Sequence, residues 1–383
     1  MKPQVEKSLS LSATEEERIS WLQLYRSENV GVRAFYALTQ LCGSVDAALQ
    51  QAGEISLRGG KKRPIKIAPR AEAEREMAAA TRIGAHVIIR SDAAYPRLLA
   101  EIHDAPPVIT VRGNVKSLSA ETVAMVGARN ASLAGLRLAE SLAAELGREG
   151  FIVASGMARG IDTAAHRGSV ASGTVAVLAG GIDNIYPPEN ARLYQEIAEK
   201  GAIVAELPYG AVPRAQHFPQ RNRIIAGLAR GTVVVEATLR SGSLITARLA
   251  LEQGRDVFAV PGSPADPRSE GPNHLLKQGA TLVTGVSDIV QALRSGFRSA
   301  DTGLFEKEKD TQYGFGRFNP PAKEELERAR GEIVSMLSSV PITIDALVQH
   351  SGFSASVIQI VLLELELAGR IEHLPGGRVA LIA

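Results

Sequence analysis

Between residue 122 and about residue 294 the chain alternates two patterns without pause, and this alternation constrains its fold most. Short apolar runs, mostly β-branched, lie at 122–126, 151–155, 174–178, 202–206, 232–236 and 256–260. Helical patterns fill the gaps, several closing on a glycine: Gly150, Gly173, Gly201, Gly254 and Gly279. Glycine just past a helix is a common stop signal. Continuously apolar strands, rather than alternating ones, belong to a parallel sheet covered on both faces. The pattern predicts an α/β domain: a Rossmann-like, doubly wound parallel sheet.

In such a sheet, ligands meet the loops at the carboxyl ends of the strands. The first two strand–loop–helix units, residues 122–166, carry VGARN and SGMARGID there. Gly127, Gly156 and Gly160 let backbone approach a ligand. Asp162 or Thr163 is placed to cap the following helix. Exposed N–H groups and a helix N-terminus favour an anion, and Arg129 and Arg159 bring guanidinium groups to the same rim. These residues predict a phosphate site that includes Ser155 and Ala158. Glycines between strand and helix also serve as plain turn residues. Neither loop is a Walker motif, and neither matches GxGxxG.

The segment 207–235 holds Arg214, Arg221, Arg223 and Arg230 and no acid, with Asn222 between two of the arginines and Phe218 just ahead. Guanidinium groups hold phosphates and a ring offers a stacking face, which suits single-stranded nucleic acid. Equally, Phe218 could staple the helix at Pro219, and some arginines could pair with acids elsewhere. Ser241, Gly242 and Ser243 fall where another helix begins, with Thr246 one turn in, and make a second anion cradle. Glu236, at a strand end, reads most simply as an arginine's partner. No nucleophile triad, paired-carboxylate site or metal-ligand rhythm stands out, and His166 reads as structural.

The 383 residues leave room for two or three domains. A net charge of +2 does not announce a polyanion partner, so any such site must be local. The single cysteine, Cys42, excludes an intramolecular disulfide. No signal peptide or membrane span is evident, so a cytoplasmic location is expected. Residues 1–13 read as a disordered leader. Residues 14–80 read as a small helical module (SAM or helix–hairpin–helix-like), with Trp21, Leu22, Leu24, Phe35, Leu38 and Leu41 as its core. Residues 81–295 are the Rossmann-like domain with an N-terminal extension, and 296–321 a linker. Residues 322–383 give helix, short strand, helix, long helix, strand, PGG turn, strand: a winged helix. That tail carries five basic side chains against eight acidic ones, and its candidate recognition helix, 354–367, has Glu364 and Glu366 but no cation. A DNA-reading helix needs the reverse, so a structural or protein-contact role is expected.

MVGARNAS, FIVASGMARGIDTAAH, TVAVLAGGIDNIYPPEN, FPQRNRIIAGL, VVEATLRSGSLITARLALEQGRDVFAVPG and GPNHLLKQGA occur in order from Thr122 to about Val290. In these motifs the chain resembles the DNA-processing protein A family (DprA, also called Smf). The resemblance implies a Rossmann-like domain that binds single-stranded DNA and forms a homodimer. It also implies protection of incoming DNA in natural transformation and loading of the recombinase RecA. Such proteins bind rather than catalyse, and no cofactor is expected. Carried over by motif, the contact residues are Arg129, the loop from Ser155 to Asp162, Arg214, Phe218, Arg221, Asn222, Arg223 and the turn Ser241–Ser243. The competing reading is a hydrolase releasing a base from nucleoside monophosphates. Those enzymes carry PGGxGTxxE; here the corresponding stretch is EATLRSGSLITARLA, without the double glycine or the final glutamate, and the residue one turn after Thr246 is Ala250.

Overall fold

The computed structural model describes residues 12–300, 321–374 and 376–382. Most of the leader, most of the linker and Pro375 of the PGG turn lie outside the described residues. The chain forms two compact units: Met1–Thr14 with Glu76–Lys307, and Glu15–Arg75 with Glu308–Ala383.

The second unit begins with α1 (Glu15–Tyr25), α2 (Val32–Cys42) and α3 (Val45–Arg58). Gly43 ends α2 in the left-handed region, at φ 83°, and the Ser44 side chain caps α3. Leu22, Leu24, Phe35 and Leu38 are fully buried, while Trp21 and Leu41 are half-buried. The chain leaves this unit within α4 (Arg70–Arg82).

The first unit is built on β1 (Ala85–Ile89), α5 (Arg97–Ala100), β2 (Val108–Gly113), β3 (Thr122–Val126), α6 (Leu133–Arg148), β4 (Ile152–Ser155) and α7 (Ile161–Ser169). It continues with β5 (Thr174–Val177), α8 (Ala191–Lys200), β6 (Ala202–Ala205), α9 (His217–Gly227), β7 (Gly231–Val234) and α10 (Gly242–Glu252). It closes with β8 (Asp256–Ala259), α11 (Glu270–Lys277), β9 (Thr281–Leu282) and α12 (Val286–Ala300). One nine-stranded sheet results, in the order β1-β2-β6-β5-β4-β3-β7-β8-β9. From β6 to β9 all neighbours are parallel. The expected parallel sheet is therefore extended at one edge by the antiparallel pair β1–β2, which joins through β6. Ser12 and Ala13, expected in the leader, hydrogen-bond to this unit at Ala93 and Asp92.

Both sheet faces are apolar, as the strand composition requires. On β3, Ala124 and Val126 face a core with Ile224, Ala247 and Ala250, whereas Val123 and Met125 face Leu142, Ile161 and Leu293. Each fully buried side chain of this size contributes roughly 1.5–3 kcal/mol. Strands run outward from β3 through β4 and β5 to β6, then return to the other side of β3 at β7. The β3/β7 junction is thus the topological switch point, where open α/β sheets take their ligands. Val126 pairs with Val234 at its edge.

The tail completes the second unit: α13 (Lys323–Met336), β10 (Ile342–Thr343), α14 (Ile344–Ser351), α15 (Ala355–Leu367), β11 (Ile371–Leu374) and β12 (Arg378–Leu381). The strands form a sheet in the order β10-β12-β11, which is the wing. The expected recognition helix, α15, is buried along nearly its whole length. Its Val361 and Leu365 pack with Ile333 of α13, while Leu363 and Leu367 join Leu24, Phe35 and Leu38 of the N-terminal helices. Asn29 donates to Leu367 O at 3.0 Å, and Arg370 donates to Gly59 O at 3.2 Å. A Cβ at Gly59 would stand 1.9 Å from Glu364 O, so only glycine allows this approach. The helix is an internal beam between the winged helix and the helical module, and Ala355 and Gln359 are its exposed positions. Its apolar, cation-free composition has that cause.

Candidate nucleic-acid interface

A cleft of about 840 Å³ opens at the β3/β7 switch point. One wall is the end of β3 with the loop after it. The others are α9 and the first turn of α10. Gly127, Arg129, Ala158, Phe218, Arg221, Asn222, Ser241, Gly242, Ser243 and Thr246 all line it. Ser155, Gly156, Arg159, Gly160, Arg214 and Arg223 do not. Among the described residues, the polar lining residues that the sequence did not single out are Asn130, Tyr186, Thr238 and Arg268. Tyr186 precedes two prolines and Arg268 follows one, patterns that signal a turn rather than a ligand.

The glycine loop is built differently from an open anion cradle. Asp162 neither caps α7 nor faces solvent. Its carboxylate accepts the Gly156 and Ala158 N–H groups at 3.1 and 3.3 Å. The helix starts after Gly160, which no side chain caps. Thr163 donates instead to Ala158 O at 2.7 Å. The N–H donors expected to hold phosphate are thus occupied from within. Gly160 is required by its φ of 77° and by space, since a Cβ would stand 2.2 Å from Ala128 O. Ser155 is fully buried and donates to Met125 O at 2.7 Å.

Arg221 supports this loop from below. It is 6% exposed. Its Nη1 donates to Gly156 O at 2.6 Å and to Val177 O. A Cβ at Gly156 would touch the guanidinium, at 2.5 Å. Burial pulls the Arg221 pKa down to about 10, against the opposing pull of Asp162. Burial likewise pushes the Asp162 carboxyl up, and Arg221 opposes this. The two charges compensate each other in the wall. Arg223 lies outside the cleft, where it pairs with Glu206 at 2.5 Å and Asp104 at 3.4 Å. Arg159 pairs with Glu189 at 2.5 Å on the surface. Asn222 ties two walls together, accepting from Arg221 Nε at 3.2 Å and donating to Gly242 O at 3.4 Å.

What faces the opening is Arg129, Phe218 and the α10 N-terminus. The Arg129 guanidinium lies 5.1 Å from the Phe218 ring centroid, a cation–π contact. Tyr186, 47% exposed, meets the same ring edge-on at 5.6 Å. Arg129 has no carboxylate partner among the described residues. Ser241 caps α10 by accepting from Ser243 N at 3.2 Å, and Ser243 donates to Gly127 O at 2.7 Å. That bond pins the helix N-terminus to the end of β3. Glu236 is not an arginine's hydrogen-bond partner. It accepts from Ser132 N and Oγ at 2.8 and 2.5 Å and anchors the start of α6. Arg214 is exposed on the approach to α9.

Behind Arg221, His166 is fully buried. Thr174 donates to Val153 O at 2.6 Å, so His166 Nδ1, 2.8 Å from Thr174 Oγ1, is the donor in that pair. Burial, aided by Arg221, holds its pKa down at about 3. The folded state therefore keeps this ring neutral while the unfolded chain protonates it near 6.5. Stability from this group is full above that value and is lost as pH falls from about 6.5 toward 3. Relative to His166→Asn, the wild type should lose about 2 kcal/mol more between pH 7.5 and 5. Calorimetric unfolding of both proteins across that range checks it; parallel pH profiles would contradict it.

Comparisons with known proteins bear on this cleft. The profile of the DNA recombination-mediator protein A family matches residues 86–294. Those of the DprA-like N-terminal HHH domain and the DprA winged helix domain match 15–79 and 319–377. Protein Smf of Escherichia coli is 36% identical over 340 residues, 88% of each chain. DNA processing protein DprA of Streptococcus pneumoniae is 46% identical over 201 residues, 52% of this chain and 71% of that one. A solved structure of the Streptococcus pneumoniae protein superposes with a TM-score of 0.61 at 36% identity, covering 73% of this chain and 98% of that one. A Helicobacter pylori DNA processing protein A, solved for its single-stranded DNA binding mode, superposes with a TM-score of 0.52 at 27% identity, covering 56% and 98%.

Proposed function

Because the chain belongs to the DNA recombination-mediator protein A family, we propose that its switch-point cleft binds single-stranded DNA and holds it without turnover. The observation that carries this reading is Arg129 lying on Phe218 at the mouth, beside the α10 N-terminus. A cation with no acid beside it, an aromatic surface and a helix N-terminus match phosphate, base and phosphate again. The Helicobacter pylori relative, whose solved structure concerns single-stranded DNA binding, supports the same ligand class. Both carboxylates nearest the cleft, Asp162 and Glu236, are committed to backbone and cap, which favours binding over base release. Protection of the strand, its delivery to RecA, a homodimer through the α/β unit and a cytoplasmic setting complete the reading. The sheet edge at β9, a two-residue strand with Leu282 49% exposed, leaves backbone groups available to a second copy. No helix among the described residues is long and apolar enough to cross a membrane.

Titration of fluorescent oligo-dT, with matched duplex as comparison, tests the reading. Single strands should bind more tightly. Log K should fall with log salt at about −0.7 per phosphate contact. Equal affinity for duplex, or affinity indifferent to salt, would overturn it. Phe218→Ala should weaken oligo-dT binding by about 1–3 kcal/mol and leave the melting temperature of the α/β unit in place. If Phe218 were a packing staple instead, melting would drop and the folded fraction would bind normally.

A further inference from the structure

A second groove, of about 450 Å³, begins on the other side of the Arg129 loop. It shares Arg129 and Asn130 with the cleft and runs between α6 and α7. Arg137, from the second turn of α6, and Arg167, from the last turn of α7, stand along it, both exposed. Neither has a carboxylate partner among the described residues. Glu140 is the acid that faces them. Leu133, 63% exposed, lies beside the shared Arg129 and offers an apolar surface at the junction.

The groove floor is closely packed. The two helices cross so closely that a Cβ at Gly168 would stand 2.1 Å from Glu140 O. Gly160 likewise packs onto the backbone of the Arg129 loop. Arg137 and Arg167 are thus carried on helices packed closely against each other and against the Arg129 loop. A volume of this size falls in the ordinary range for ligand sites, yet it is open and cationic rather than enclosed and apolar. A row of arginines along an open channel is the arrangement that tracks a nucleic-acid backbone without reading bases.

We propose that the groove between α6 and α7 is a second track for the same DNA strand, holding its phosphates at Arg137 and Arg167 after the strand passes Arg129. This rests on the cleft being a single-stranded DNA site. Because the two grooves share Arg129 and Asn130, a strand leaving the cleft over that loop enters the groove directly. The partner class is a single-stranded phosphodiester chain longer than the cleft can hold.

The test uses the full chain and two lengths of labelled oligo-dT, about six and about twenty nucleotides. Wild type should bind the longer strand more tightly. Arg137→Ala/Arg167→Ala should leave the short strand's affinity unchanged, remove most of the length advantage, and make the long strand's salt slope shallower by about 1.4, or 0.7 for each lost contact. A control that removes a cation outside the groove, Arg148→Ala at the far end of α6, should change the affinity for neither length. If the double variant binds both lengths as wild type does while Arg129→Ala weakens both, the second track is wrong and the cleft reading stands. If Arg129→Ala affects neither length, the cleft reading itself fails. If the double variant binds both lengths normally but loses a protein partner or changes oligomeric state, the groove serves a protein and the proposal is overturned.

Discussion

Arg221→Met is expected to cost the α/β unit about 2–6 kcal/mol of stability, on the order of 1–3 kcal/mol for each of the two buried carbonyls it leaves without this donor. Removing the guanidinium leaves the buried Asp162 carboxylate, supported by its backbone N–H donors, without the nearby positive charge that favours its ionised form. It also strands Gly156 O and Val177 O, which lose their shared donor. A buried acceptor left unpaired carries its own penalty, on the order of 1–3 kcal/mol. Asp162→Asn added to Arg221→Met should recover part of the loss, because it removes the buried charge. The coupling between the two changes should fall near 0.5–3 kcal/mol. Thermal unfolding followed by circular dichroism reads the effect on the α/β unit. Trp21, the single tryptophan, sits in the other unit against Phe35 at 5.0 Å, so its fluorescence transition serves as an internal control. A variant with normal melting and selectively weakened oligonucleotide binding would return Arg221 to the role its motif suggests, a phosphate ligand.

That contrast shows where sequence stops being informative. The strands, their order of appearance and the glycine stops were legible because parallel strands must be apolar on both faces. The cleft was legible because loops at strand ends face it, and Gly127, Arg129, Phe218 and Ser241–Ser243 duly line it. Which arginine of Arg221-Asn222-Arg223 points where was not legible. On α9, positions one and two residues apart do not share a face. Asn222 joins the cleft, Arg223 turns to Glu206 and Asp104, and Arg221 turns inward beneath the glycine loop. The partners that decide this are distant in sequence, at Asp104, Asp162 and Val177, so no local pattern records them. Tyr186 was missed for a related reason. It meets Phe218 only because the loop after β5 folds back over α9. The edge strands β1 and β2 are joined through the short helix α5, and the antiparallel pairing of β1 with β2 and of β2 with β6 left no signature in the chain.

Arg330→Met should lower the stability of the other unit by about 3 kcal/mol, and Trp21 fluorescence should report it directly. Arg330 reaches from α13 to Glu364 of α15 with two bonds, 2.7 and 2.9 Å. Glu364 is 1% exposed, at the point where α15 passes Gly59 of the helical module. Hydrogen bonding to Glu364 holds the Arg330 pKa above its ordinary value. Because the Arg330 side chain keeps 24% exposure, solvent weakens the pair and the cost sits at the low end for a broken buried ion pair. Two acidic residues on a helix in the recognition position look anomalous for a winged helix. Their physical role differs: Glu364 is one half of an internal clasp, and Glu366 faces His373 of the wing at 3.3 Å. The substitution therefore loosens the beam that joins the winged helix to the N-terminal helices, while the cleft in the α/β unit is untouched. Oligo-dT affinity at a temperature where the variant remains folded should equal that of wild type. A fall of tenfold, about 1.4 kcal/mol, would place a DNA contact in the second unit and contradict the structural role assigned to α15.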